Sequence, residues 1–265
     1  MRIIDFHTHI YPNAIAKKAA ESISSFYVLE GGGMDGTTEM LLAQGEKAGI
    51  DHFVVLPVGL KPGHVRHINE FILGQVAQQP RFTGFGTIHA GMDGLVEEVE
   101  FIHRSGLRGI KMHPDTQLFN IDDPRLFPAY ERMRELGLPV MFHTGDTRYD
   151  YSHPRRLRHV LTLFPGLTAI GAHFGGYSVY EAALDALRDT DCLLDVSSSL
   201  MFLDPDTAVD YIRKYGAERL VYGSDYPLWD PAVEIQRFLS LKLTDDEFEQ
   251  IAHKTAEDLD RKSVV

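Results

Sequence analysis

Eight short apolar runs, rich in β-branched and aromatic residues, recur at 3–6, 53–56, 82–88, 107–112, 140–142, 168–172, 192–196 and 220–222. Each has the length of a strand, and several are apolar throughout, as parallel strands covered on both faces are. Between them the apolar positions follow helical spacing, at 37–48, 67–78, 95–105, 124–136, 154–163, 179–188, 206–215 and 231–241, with a last pair at 245–253 and 256–261. Asp123-Pro124 and Asp230-Pro231 each set a capping carboxylate before a first-turn proline. Gly49, Gly106, Gly137 and Gly216 follow helical runs, where a left-handed residue ends a helix. Eight such alternations in 265 residues predict a single-domain (β/α)8 TIM barrel over 1–265, with its active site at the C-terminal face of the strands. An open doubly wound sheet would carry a glycine-rich turn after its first strand. Here that strand ends in His7-Thr8-His9.

Metal-binding residue types stand where the strands run out. His7 and His9 end the first strand, Lys111 and His113 the fourth, His143 the fifth, His173 the sixth and Asp225 the eighth. In a barrel these points share one rim. Residues two apart on a strand point the same way, so His7 and His9 both face the mouth. With His143 and Asp225 they form a donor set suited to one divalent ion, zinc first and manganese second. Asp5 is expected to face the helices or to hydrogen-bond locally. His113 is expected to touch substrate, and Arg148 to clamp an anion. Asp115, Tyr149 and Trp229 lie on loops that shape the pocket. Ser197-Ser198-Ser199 ends the seventh strand without the pattern of a nucleophile elbow. The eight other histidines read as structural, with His89 the one that borders the pocket.

Composition narrows the partners. Apolar residues make up 44% and charged residues 24%, ordinary for a globular chain. The formal net charge of −12 disfavours nucleic acid and anionic membrane, leaving a small-molecule substrate. The one cysteine, Cys192, excludes an internal disulfide and reads as buried and inert. No stretch approaches the roughly 18 apolar residues of a membrane span, and the first residues lack a signal-peptide core, so the cytoplasm is the expected location. Gly31-Gly32-Gly33 is the loosest spot, inside a segment, 11–38, that leaves room for little more than a short lid.

Five motifs carry a resemblance. Asp5-Phe6-His7-Thr8-His9, Gly109-Ile110-Lys111-Met112-His113-Pro114, Phe142-His143-Thr144-Gly145, Ala172-His173-Phe174-Gly175-Gly176 and Tyr222-Gly223-Ser224-Asp225-Tyr226-Pro227 occur in this order. Together the chain resembles the amidohydrolase superfamily, in the branch that holds aminocarboxymuconate-semialdehyde decarboxylase and related hydratases and lactonases. The resemblance implies metal binding by His7, His9, His143 and Asp225, catalytic roles for His173 and Asp225, and a homodimer as common among relatives. It also gives Lys111 two readings. As a cation it would hold a substrate carboxylate, together with His113 and Arg148. As a carbamate it would bridge a second ion. The expected reaction is hydrolysis of an amide, ester or lactone by water that the ion activates. Non-oxidative decarboxylation is the alternative. A metal-free lactonase or a binding scaffold is the reading of a different class, and the intact ligand set argues against it.

Overall fold

The strands are buried on both faces, and their alternate side chains join two separate apolar layers. Ile4, Phe6, Val54, Leu56, Phe85, Met141, Ile170 and Val221 pack together inside the barrel. Their neighbours Phe53, Val55, Ile110, Met112, Val140 and Phe142 pack outward against the helices. The computed structural model describes residues 1–29 and 33–262; Gly31-Gly32 of the expected loose loop lies outside the described residues.

The eight strands are Ile4–Thr8, His52–Val55, Phe82–Gly84 continued by Gly86–Thr87, Ile110–Met112, Val140–Phe142, Ala169–Gly171, Leu193–Asp195 and Leu220–Val221. All pair in parallel with their sequence neighbours. Phe85 interrupts the third strand, yet its N–H donates to Val55 O at 3.0 Å while that of Gly86 donates to Gly109 O at 2.8 Å, so the ring continues across the break. The ring closes where Phe6 N–H donates to Tyr222 O at 2.8 Å and His9 N–H to Tyr226 O at 2.7 Å. The barrel read from the sequence is the observed fold.

One local feature decides which way the first strand aims its histidines. Asp5 pairs with Phe53 but Thr8 with Val55, so three steps on one strand oppose two on the other. Such a bulge re-aims side chains. Strict alternation from the inward Ile4 and Phe6 would send His7 out to the helices. The shift turns it into the mouth instead, and His9, two residues on, follows.

Asp123 caps its turn by accepting from Arg125 N–H, and Asp230 caps Pro231–Leu239 by accepting from Ala232 N–H. Gly49 and Gly137 end their helices in the left-handed conformation, φ 67° and 62°. The segment after the first strand contains a helix, Ala16–Phe26, to which the sequence pattern assigned no element. It buries Ala16, Ala20 and Ser24, a stripe of small residues too weakly apolar to stand out in the sequence. Cys192 is buried, and burial pushes its thiol up to about 12, in keeping with an inert cysteine. Among the described residues no helix is long and apolar enough to cross a membrane.

Glu234, on Pro231–Leu239, is buried at 3% exposure with Arg237 at 3.3 Å. Burial pushes its carboxyl up to about 7, and Asp225, Asp5 and Asp230 add to the push against Arg237. A raised folded-state pKa means that folding binds a proton. The associated stability is full below about pH 4.5 and is lost as pH rises through about 7. Glu234→Gln is therefore expected to gain about 2 kcal/mol at pH 8, or roughly 4–6 °C, and much less at pH 5. Thermal melts at the two pH values check this; an equal gain at both would sink it.

Candidate metal centre and its cavity

His7, His9 and Asp225 meet at the barrel mouth although they come from opposite ends of the chain. The backbone brings them there, since Asp225 N–H donates to His7 O at 2.8 Å across the closing seam. His7 Nε2 lies 3.1 Å from His9 Nε2, and both lie 3.4 Å from Asp225 Oδ1.

Hydrogen-bond partners assign the tautomers. His7 Nδ1–H donates to Asp195 Oδ2 at 2.6 Å, and His9 Nδ1–H donates to Leu56 O. Both Nε2 atoms are thus proton-free and turn lone pairs toward each other and toward a carboxylate oxygen. Burial pushes His7 down to about 4, Lys111 adding to the effect over the pull of Asp225 and Asp195, so the ring stays neutral. Burial opposes ionisation of Asp225, but His7, His9 and His173 outweigh it and hold the carboxyl below the usual range. Three facing lone-pair atoms repel one another unless a cation lies among them. Donors bound at 2.0–2.2 Å to one tetrahedral ion stand about 3.3–3.5 Å apart. The donor set therefore fits a divalent ion.

His173 adjoins this trio. Its backbone is left-handed, φ 60°, and its Nδ1–H donates to Ser197 O at 3.0 Å, leaving Nε2 proton-free toward the site, 3.1 Å from His143 Nδ1. The two glycines that follow allow the close approach read from the sequence: a Cβ on Gly145 would meet Gly176 Cα at 2.6 Å.

Among the described residues, donor atoms within 4.8 Å of one another form two groups: His7, His173 and Asp225, and His113, Asp115 and His143. His143 thus falls with the second group, not the first as the sequence suggested. It touches the first through Nδ1, 3.1 Å from His173 Nε2, while its Nε2–H donates to Gly145 O at 3.1 Å. Stacking on His113, 4.0 Å between centroids and 5° between planes, fixes that pose. Parallel stacked rings send their lone pairs out side by side, so His113 and His143 do not converge on a second ion.

Lys111 is buried, its Nζ 3.1 Å from His7 Nε2. His113 Nε2 hydrogen-bonds Tyr27 OH at 2.8 Å, and its Nδ1 has no partner. Arg148 departs from the expected anion clamp. Asp146, two residues back, takes its Nε and Nη2, and Phe26 O takes its Nη1. Its guanidinium fastens the helix Ala16–Phe26 to the rim and does not line the cavity. Asp5 hydrogen-bonds locally as expected, Oδ1 accepting from His7 N–H at 3.2 Å and Ser224 N–H at 2.9 Å.

Several residues support the donors: Asp195 and Tyr27, which sequence reasoning passed over, and Ser198 and Trp229, which it placed near the pocket without this role. Asp195 ends the seventh strand and orients both His7 and the His173 backbone N–H, the latter at 2.9 Å. A carboxylate closing an apolar run was the available signal. Tyr27 reaches in from beyond the unexpected helix. Ser198 Oγ–H donates to Asp225 Oδ2, and Trp229 Nε1–H donates to Ser198 Oγ at 2.8 Å. This relay holds one carboxylate oxygen back and leaves Oδ1 to the imidazoles. Partners of this kind are worth about 10–100-fold in metal affinity. Ser198→Ala is expected to lose metal to a chelator with an affinity lower by about that factor. Unchanged affinity would leave the relay without function.

His7, His9, Lys111, His143, His173 and Asp225 line the inner end of a cavity of about 360 Å³. A larger cavity of about 640 Å³ opens at the opposite end of the barrel, between Arg158, Thr190, Glu218 and Asp258, away from every group described above.

Comparison with known proteins supplies the lineage. A curated relative, 2-amino-3-carboxymuconate-6-semialdehyde decarboxylase of Dictyostelium discoideum, is 32% identical over 81 residues, 29% of this chain and 23% of the relative's length. An uncharacterised TIM-barrel protein of Bordetella bronchiseptica is 22% identical and superposes with a TM-score of 0.82 over 100% of both chains. A dihydroxybenzoic acid decarboxylase of Polaromonas, solved with manganese and the inhibitor 2-nitroresorcinol, is 15% identical with a TM-score of 0.74 over 98% of this chain and 97% of its own. The model of the amidohydrolase family matches residues 4–259, nearly the whole barrel, and the chain belongs to that family.

Proposed function

We propose that the protein is a metal-dependent decarboxylase of a small carboxylated substrate, acting in the cytoplasm, with His7, His9 and Asp225 holding one zinc or manganese ion and His143 completing the set through its proton-free Nδ1, which faces His173. The observation that carries this reading is the set of proton-free donors 3.1–3.4 Å apart beside a buried lysine. The chemistry named for the Dictyostelium and Polaromonas relatives favours decarboxylation over the hydrolysis expected from the sequence.

A bound ion would polarise a substrate oxygen and so draw electrons from the bond to be cleaved. The chain's own groups do the rest. Lys111 pairs with the substrate carboxylate. Enclosure at the buried inner end of the cavity strips water from that carboxylate, and its departure as neutral carbon dioxide relieves the cost. The bonding electrons remain on carbon, which then needs a proton. His173 Nε2, its opposite nitrogen fixed on Ser197 O, faces the site and can carry one.

The test uses protein loaded with manganese or zinc, offered 2,6-dihydroxybenzoate and other carboxylated phenols, with carbon dioxide release as the readout. Elemental analysis accompanies it, with about one ion per chain expected. Ring opening of lactones without carbon dioxide release would restore hydrolysis. Absence of metal would restore the metal-free class.

A further inference from the structure

Charge is distributed unevenly along the cavity. Among the described residues Lys111 is the one lysine or arginine that lines it. It lies at the inner end, buried at 1% exposure beside His7. Arg148, close by on the rim, is neutralised by Asp146 at 2.6 Å. Outward the wall turns apolar through Ile23, Phe26, Val58 and Leu228. Leu60 and Leu118, 56% and 67% exposed, mark the opening. The hydroxyl groups on that outer wall are neutral. Apart from Asp225 at the candidate ion site, the further acidic group among the described lining residues is Asp115, a like charge whose Oδ1 is buried without a partner.

We propose that the site takes a monocarboxylate with an apolar body and rejects substrates bearing a second carboxylate remote from the first. This rests on the reading of the inner end as a carboxylate site. A first carboxylate finds Lys111. A second, held across a ring, meets aliphatic side chains, Asp115 and the neutral hydroxyls of Ser22, Thr116 and Tyr149, with no cation among the described residues to balance its charge, and buried unpaired charge is among the costliest placements in a protein. An apolar substituent at the same point gains from the wall, roughly in proportion to the area it covers. About 360 Å³ accommodates a ring with a short chain.

Calorimetric titration of the manganese-loaded protein with benzoate, 4-butylbenzoate and terephthalate tests the proposal without turnover. We expect 4-butylbenzoate to bind about 10-fold tighter than benzoate, and terephthalate at least about 10-fold weaker. Leu60→Arg, at the exposed rim, should bring terephthalate to within about 3-fold of benzoate. Terephthalate binding as tightly as benzoate in the unaltered protein overturns the proposal, as does failure of all three to bind. The expected order without carbon dioxide release from any carboxylate would sink the decarboxylase reading and leave this selectivity standing.

Discussion

Replacing His7 by alanine is expected to strip the protein of its metal and to cut turnover by roughly 10³-fold while the barrel stays folded. The loss follows from position. His7 Nε2 is the donor nearest His9, at 3.1 Å, and its other nitrogen is locked on Asp195 at 2.6 Å. Alanine removes one donor and frees Asp195 Oδ2 as well. Removing one partner of a buried pair costs about 3–5 kcal/mol. Asp195 Oδ1 nevertheless keeps donors from His173 N–H at 2.9 Å, Ser197 N–H at 2.9 Å and Ser197 Oγ–H at 2.7 Å. A domain stable by about 5–15 kcal/mol survives that loss with a melting temperature lower by roughly 10 °C. His9→Ala provides a second route, because its Nδ1 gives up only a carbonyl, Leu56 O. It should lose the same metal at a smaller cost in stability, and it decides the matter if His7→Ala fails to fold. Elemental analysis and turnover of both variants check the assignment. Full metal content and full rate in either would remove these histidines from the donor set.

The barrel was legible because its boundaries are written locally. Asp123-Pro124 starts a helical turn and Gly137 stops a helix with no help from distant residues. The rim was legible for a related reason: a histidine or aspartate closing an apolar strand has few other uses. What the sequence withheld depends on pairing. The bulge between Asp5 and Thr8 exists only against the 52–55 strand, and it decides that His7 faces inward. The Asp195–His7 hydrogen bond spans 188 residues, and only closure of the ring brings its ends together. The pose of His143 depends on stacking with His113, which strand periodicity does not encode. Arg148 shows the converse. Its neighbour Asp146 was visible in the sequence, and a carboxylate two residues away is a ready partner for a guanidinium that would otherwise seek an anionic ligand.

Lys111→Met is expected to raise KM for a carboxylated substrate about 30–100-fold while the metal content stays the same. Burial pushes the lysine down to about 8 against the pull of Asp195 and Asp225, so at neutral pH it remains mostly a cation. Its Nζ meets His7 Nε2 at 3.1 Å and has no carboxylate partner among the described residues. Asp195 and Asp225 act on this ammonium only from a distance, and a buried charge that no carboxylate touches keeps donors free for an anionic ligand. The lone pair it now uses on His7 is also the one that an ion would take. With that acceptor occupied, the ammonium has donors free for a carboxylate in the cavity that it lines. Methionine matches the length and apolar stem of lysine, so packing survives and the charge alone is lost. Kinetics paired with elemental analysis separate the two readings of this residue. Loss of one ion from two would identify a carbamate bridge. A raised KM at constant metal identifies the carboxylate anchor, and unchanged values of both would leave the buried cation without a part in the chemistry.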